Sequence, residues 1–282
     1  MVSGSTGENS SDTLVIDALA LAICGPVIDE TRSAGPVLPE QGPTGWGADV
    51  DDLVHKLHGK VKRAKLLNDF VAIGLGVPLM VGNPEFTVNL HMPPETAWST
   101  TESTQDDEEG AHVQRKLSRP GVMAAVGAGT GLGEVYLTWN DATQQYDAQP
   151  SEGGMAEFSA TSDILWEIRK FLLKRDGHVT VEGLVSGPGI TNIYEYLVDR
   201  DGDATSCTNV VRDIPTIDRP ATITRIGLSG TGDPRCKETL RIFVTAMAAH
   251  LRQTALHILP TGGLFLCGGI PPRIVPLLKE MM

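Results

Sequence analysis

"GVMAAVGAGTGLGEVYLTW", residues 121–139, decides the fold. It opens with six small or apolar residues and places four glycines within residues 127–133. It ends on six residues rich in β-branched and aromatic side chains. A dinucleotide-binding loop would need GxGxxG spacing, and that spacing fails. Counting from Gly127 the sixth position is Leu132, and counting from Gly129 it is Glu134. No Gly-Lys-Ser/Thr follows, so the stretch is not a P-loop either. Both of those loops open a helix, whereas "EVYLTW" has the composition and alternation of a strand. Strand, glycine turn, strand is a hairpin. Set among segments that alternate between strand and helix patterns, it predicts an α/β fold with a mixed sheet.

Two readings of the glycine turn are open. The plain one is a tight hairpin. The other is an anion cradle, in which the glycines bring backbone N–H groups close to a phosphate and Thr130 adds a hydroxyl. Most hairpin turns need only one or two glycines, so four in seven residues favour phosphate.

Upstream, "ALALAICGP" predicts a buried strand over residues 18–24, ended by Gly25 and Pro26. "ADVDDLVHKLHG" places Val50, Leu53, Val54 and Leu57 on one helical face, with Gly59 as its stop. Next comes "AKLLNDFVAIGLGV", residues 64–77, where Asn68 and Asp69 interrupt an apolar run. An unpaired buried carboxylate is costly, so Asp69 must be hydrogen-bonded or functional. "AKLL" reads as a strand, which puts Asn68 and Asp69 at its carboxyl end, the edge where open α/β sheets bind ligands. Residues 29–47 read as a Gly- and Pro-rich loop. Residues 81–120 read as a polar connection whose acidic run, residues 106–109, is solvated.

Downstream, "TSDILWEIRKFLLKRDG" and "GPGITNIYEYLVD" predict helices, the first ending at Gly177. "GDPRCKETLRIFVTAMAAHLRQTALHIL" predicts the longest helix, capped by Asp233, with Leu240, Phe243, Met247 and Leu251 as its core stripe. "GGLFLCGGI" predicts a buried strand followed by a glycine turn. The domains expected are residues 1–80 as a small α/β domain, 81–120 as the connection and 121–282 as a large α/β domain.

Composition excludes several classes. The 282 residues are 41% hydrophobic and 21% charged, as in an ordinary soluble domain. A net charge of -12 disfavours a general nucleic-acid binder. The basic cluster at residues 55–65 lacks interleaved aromatics and reads as a solvated helix end. Cys24, Cys207, Cys236 and Cys267 are scattered with no CxxC pair, which implies reduced thiols, a cytoplasmic setting and no structural zinc. The polar start lacks the apolar core of a signal peptide, and no apolar run approaches membrane-spanning length.

Three acids occupy unusual settings. Asp69 follows a strand, Glu152 stands in "PSEGGMAEF", and Glu182 lies in "VEGLVSGPG". Each alone is a common surface or capping acid. Together they suit a polyol, because carboxylates accept hydrogen bonds from vicinal hydroxyls, and one near a phosphoryl group can take the attacking proton.

In this order, "LLNDFVAIGLGVP", "GAGTGLG", "EGGMAEF", "VEGLVSGPGI" and "GGLFLCGGIPPRI" resemble the bacterial-type glucokinase family. The resemblance runs from about Ala18 to the end, and the combination is specific although each piece alone is not. It implies the ribonuclease H-like, two-domain fold of the sugar kinase and actin-like ATPase superfamily, with the small domain incomplete. It also implies ATP with Mg²⁺, glucose as substrate, two lobes that close on the sugar, and a homodimer. By the same resemblance Asp69 is the base for the glucose 6-hydroxyl, and Asn68 holds a neighbouring hydroxyl. Glu152 and Glu182 bind the sugar. Gly127, Ala128, Gly129, Thr130, Gly131 and Gly133 form a phosphate hairpin, and Gly268 with Gly269 a nucleotide-side turn.

Three departures qualify it. Residues 1–17 contain no Asp-Gly-Gly-Thr-type first phosphate hairpin. The chain ends at "VPLLKEMM", short of the family's last segment. Met155 stands where the family usually has a sugar-contacting His, and a thioether cannot donate a hydrogen bond. A Cys-rich zinc motif of the related repressor and kinase branch is absent. The departures leave a second reading, a non-catalytic sugar-binding or regulatory relative, and a third, an incomplete gene product.

Overall fold

The computed structural model describes residues 16–23, 27–28, 32–33, 49–58, 60–90, 120–202 and 211–282. They fall into two compact units, Met1–Ile73 and Gly74–Met282. The expected loop at 29–47, the acidic run, Gly59, Cys24, Cys207 and the polar start lie wholly or largely outside the described residues.

In the first unit β1 (Leu19–Ile23) pairs in parallel with β4 (Ala64–Asn68), from Leu19 beside Ala64 to Ile23 beside Asn68. Two short strands, β2 (Val27–Ile28) and β3 (Arg32–Ser33), form a separate ribbon. Between them and β4 runs α1 (Val50–Lys56), capped by Asp49, whose carboxylate accepts from the Asp51 and Asp52 amides. Its Val50 and the Leu66 side chain of β4 are buried. The expectation of a fully buried first strand is corrected here: β1 alternates between half-buried and exposed positions. Among the described residues it has one neighbouring strand, β4, and its burial alternates along the strand.

From β4 the chain turns directly into α2 (Asp69–Met80). Asn68 makes the turn possible, because its side-chain oxygen accepts from the Phe70 and Val71 amides at 2.9 and 3.1 Å. That is the N-cap arrangement; it satisfies the Val71 amide and shares the Phe70 amide with Asp69 Oδ1.

The second unit is built on a four-stranded sheet in the order β7–β6–β5–β8. Strands β5 (Met123–Ala128), β6 (Leu132–Asn140) and β7 (Gln145–Ser151) form an antiparallel meander, and β8 (Gly263–Cys267) runs parallel to β5. The mixed sheet expected from the hairpin is therefore present. The strands extend further into the glycine stretch than expected, leaving only residues 129–131 as the tip. β7 was not anticipated from the sequence, and β8, the edge strand of this sheet among the described residues, is half-buried throughout.

Helices α3 (Asp163–Asp176), α4 (Gly187–Asp201), α5 (Arg219–Ser229), α6 (Pro234–Ile258) and α7 (Val275–Met281) complete this unit. α3 ends where expected, with Gly177 in the left-handed region at φ 79°. α6 starts where expected: Asp233 accepts from the Arg235 amide at 2.9 Å. The same carboxylate takes the buried Arg235 guanidinium at 2.8 Å and the Tyr194 hydroxyl at 2.5 Å. The α6 stripe of Leu240, Phe243, Met247 and Leu251 is buried with Tyr194, Ile193 and Leu165 in one core. α5 and α7 were not predicted. α5 carries Pro220 and Gly227 within a short Thr-rich sequence, and α7 is only seven residues long.

Gly74 in α2 packs on β6, and a Cβ there would lie 2.7 Å from Val135 Cγ1. Val135 is fully buried, so it has little room to move. Gly74→Ala should lower stability by about 1 kcal/mol, the overpacking cost exceeding the helix-propensity gain. Thermal unfolding checks this: a drop of a few degrees is expected, and a rise would show that Val135 yields freely.

Candidate active site

The sheet brings two glycine turns to one edge. β5 and β8 are parallel, so their carboxyl ends, Ala128 and Cys267, sit side by side. The hairpin tip follows one and Gly268–Gly269 the other, at the edge where α/β sheets bind ligands. Gly268 has φ 88°, and a Cβ on it would lie 2.5 Å from the Ala128 carbonyl oxygen, so only glycine fits. The Ile270 amide donates to that same carbonyl at 3.1 Å and fixes the turn against β5. At Gly269 a Cβ would meet nothing within 4 Å, and at Gly129 only the Gly269 amide at 4.0 Å. Bare backbone therefore lines an open space between the tip and the turn.

α4 adds a third component. Its Gly187 amide donates to the Gly129 carbonyl at 2.7 Å, while Ser186 caps the helix by accepting from the Gly189 amide at 3.1 Å. The positive end of a 15-residue helix thus adjoins the hairpin tip.

The acids are held by the same loops. Glu182 lies just ahead of α4, and its Oε2 accepts from the Leu132 amide at 2.7 Å. Its carboxylate fills the place a Cβ on Gly131 would take, 2.6 Å away. Glu152 leads a single helical turn, Gly153–Met155, in which the Met155 amide donates to the Glu152 carbonyl at 2.9 Å. Glu152 and Met155 are both exposed. This turn is pinned to its neighbours: the Glu182 amide donates to the Gly154 carbonyl at 2.8 Å, and a Cβ on Gly154 would sit 2.3 Å from the Leu132 carbonyl oxygen. Hairpin, Glu152 turn and Glu182 loop are therefore one interlocked body. Asn68 and Asp69 belong to the other unit, at the junction of β4 and α2. Asp69 is half-buried, and its Oδ1 accepts from the Phe70 amide at 2.9 Å.

Sequence reasoning missed Glu134. It is 1% exposed, and its carboxylate pairs with His250 Nε2 and accepts from the Tyr136 hydroxyl at 2.7 Å and the Ser151 hydroxyl at 3.4 Å. Desolvation is the largest influence and pushes its pKa up, but the hydrogen bonds from His250, Tyr136 and Ser151, with the electrostatic attraction of His250, outweigh it. The carboxyl is held below the ordinary 4.5. Burial, together with the adjacent Glu134 charge, pushes the Tyr136 hydroxyl up to about 12. One signal was available. His250 lies three residues after Met247, on the stripe that α6 turns to the core.

A depressed carboxyl pKa stabilises the fold above the group's unfolded value and is lost as pH falls below it. Glu134 and Asp233 are both lowered, the latter from 3.8 by its Arg235 and Tyr194 bonds against desolvation. Thermal stability should therefore fall as pH drops below about 4.5. Glu134→Gln should make that fall shallower, and melting curves from pH 7 to pH 3 compare the two. An unchanged slope would mean Glu134 is not ionised in the fold.

Comparison with known proteins places this arrangement. The glucokinase family model matches residues 6–282. The glucokinase of Trichormus variabilis is 30% identical over 271 residues, covering 92% of this chain and 69% of that protein. The crystal structure of glucokinase from an Antarctic psychrotroph superposes with a TM-score of 0.62 at 25% identity, over 93% of this chain and 67% of that one. The glucokinase of Balamuthia mandrillaris, solved in complex with glucose, gives 0.65 at 15% identity, over 95% and 70%. The fold and these relatives define a sugar kinase of the actin-like ATPase class, an ATP-dependent phosphotransferase. Within that class, the chain belongs to the glucokinase family. The fold and activity class expected from the motifs are thereby borne out.

Proposed function

We propose that this chain transfers the γ-phosphoryl group of ATP to the 6-hydroxyl of glucose, with Asp69 as the base. The observation that carries the reading is the meeting of hairpin tip, α4 N-terminus and Gly268–Gly269 turn around open space, with Glu182 bonded to the hairpin.

The donor's phosphates fit that space. Glycine backbone admits an anion closely, and the helix end favours negative charge. Residues 127–131 and Gly133 form one wall and Gly268 with Gly269 the other. Mg²⁺, held mainly through phosphates and water, would neutralise charge on the β- and γ-phosphates when bound.

Glu152 and Glu182 accept from sugar hydroxyls, Met155 packs on the sugar face, and Asn68 holds the hydroxyl next to the reacting one. Asp69 takes the proton of the 6-hydroxyl as its oxygen bonds to the γ-phosphorus. The bond to the bridging oxygen breaks and ADP leaves. Asn68 fixes Asp69 through its cap on α2, so the base is presented by rigid backbone.

A cytoplasmic homodimer is part of this reading, with no nucleic-acid or membrane partner. No helix among the described residues is long and apolar enough to cross a membrane. The deciding experiment offers ATP, Mg²⁺ and glucose to the purified chain and follows glucose 6-phosphate. Formation of that product is expected. Glucose binding by calorimetry without any turnover would overturn the reading in favour of a sugar-binding relative.

A further inference from the structure

We propose that Glu134 and His250 are positioning residues for the sugar: they form the buried floor on which the Glu152 turn rests. The inference rests on the reading of Glu152 and Met155 as sugar contacts.

The geometry runs from α6 through the sheet to the turn. His250 on α6 meets Glu134 on β6, and Glu134 lies directly across from Ser151 on β7. Ser151 is the last residue of β7, and its hydroxyl accepts from the Gly153 amide at 3.0 Å while lying 3.4 Å from Glu134 Oε2. A Cβ on Gly153 would sit 2.3 Å from Glu134 Oε2, so the turn lies directly on the carboxylate. His250 Nδ1 has no hydrogen-bond partner among the described residues. Nε2 faces the ionised Glu134 carboxylate, which can only accept, so Nε2 is the donor, and the carboxylate is closed off by three donors: the imidazole, the Tyr136 hydroxyl and the Ser151 hydroxyl.

Burying a carboxylate in a β-strand is expensive, and an apolar residue would close the core more cheaply. What the acid adds is a rigid, hydrogen-bonded support one residue away from Glu152. Glu134 follows Gly133 in the chain, but its side-chain bonds go to His250, Tyr136 and Ser151 and not to the hairpin tip or the Gly268–Gly269 turn, so its loss should fall mainly on the sugar.

Calorimetry on the full chain tests this, with glucose and a non-hydrolysable ATP analogue as separate ligands. Glu134→Gln keeps shape but sets an amide against donor groups. It should weaken glucose binding about tenfold, because misplaced contacts of this kind cost one to two orders of magnitude. The ATP-analogue affinity should stay within about threefold, the same margin that separates ordinary context effects. Ser151→Ala, at a half-buried strand end where folding is not at risk, should weaken glucose binding in the same direction. The double variant should be no worse than Glu134→Gln alone, since both act through the turn. Unchanged glucose binding in either single variant overturns the proposal, as does an equal loss for both ligands. Glu152→Ala serves as the reference. If that variant binds glucose normally, the sugar-contact reading fails and the proposal falls with it.

Discussion

Asp69→Asn is expected to lower turnover with glucose by about a thousandfold while glucose affinity changes by less than about threefold, a split typical of losing a general base. Asparagine has the same size and keeps an acceptor oxygen for the Phe70 amide, which Asp69 now engages at 2.9 Å. The start of α2 is held independently by Asn68, so the backbone at residue 69 should not shift. What asparagine lacks is a basic oxygen to receive the 6-hydroxyl proton as the oxygen attacks phosphorus. A coupled assay for glucose 6-phosphate gives the rate, and calorimetry gives the sugar affinity. Near-full turnover would remove Asp69 from the reaction. A parallel collapse of glucose binding would make it a sugar contact instead of a base.

The local elements at the site were legible in the sequence because each has a short-range cause. The hairpin followed from a strand pattern on both sides of four glycines, and β5 and β6 form it. Asn68 and Asp69 were placed at a strand end, and they stand where β4 becomes α2. The caps by Asp233 and Gly177 followed from residue type and position alone. What could not be read was anything fixed by contacts distant in sequence. Glu134 and His250 are 116 positions apart, and nothing near either one announces the partner. β7 carries Asp147, Gln149 and Pro150, which weaken a strand pattern. It exists because β6 offers it a complete antiparallel register from Glu134 to Asn140.

Burial was misjudged for a related reason. "ALALAI" and "GLFLC" are apolar enough for central strands, yet β8 is an edge strand and β1 has one neighbour among the described residues. Apolar composition reports that a strand can be covered on both faces. Whether it is covered depends on sheet order, and that is decided by other segments.

The second large effect is expected at Glu182, whose carboxylate holds the hairpin and, on the proposed reading, also binds the sugar. Its Oε2 already holds the Leu132 amide at the base of the hairpin, which on that reading leaves Oε1 for the sugar. Glu182→Ala removes both acceptors. Glucose affinity should fall about a hundredfold, the value of losing a hydrogen bond to a charged group. ATP-analogue affinity should fall about tenfold, because the hairpin loses the bond that fixes Leu132. Glu182→Gln separates the two effects. Its amide oxygen can keep the Leu132 bond, so nucleotide binding should be preserved, while its NH2 group faces the sugar and glucose binding should still fall. If glutamine and alanine weaken nucleotide binding equally, the hairpin does not depend on Glu182. If alanine leaves nucleotide binding intact, the hairpin is held by Gly187 and Ile270 alone, which bond the Gly129 and Ala128 carbonyls from the other side.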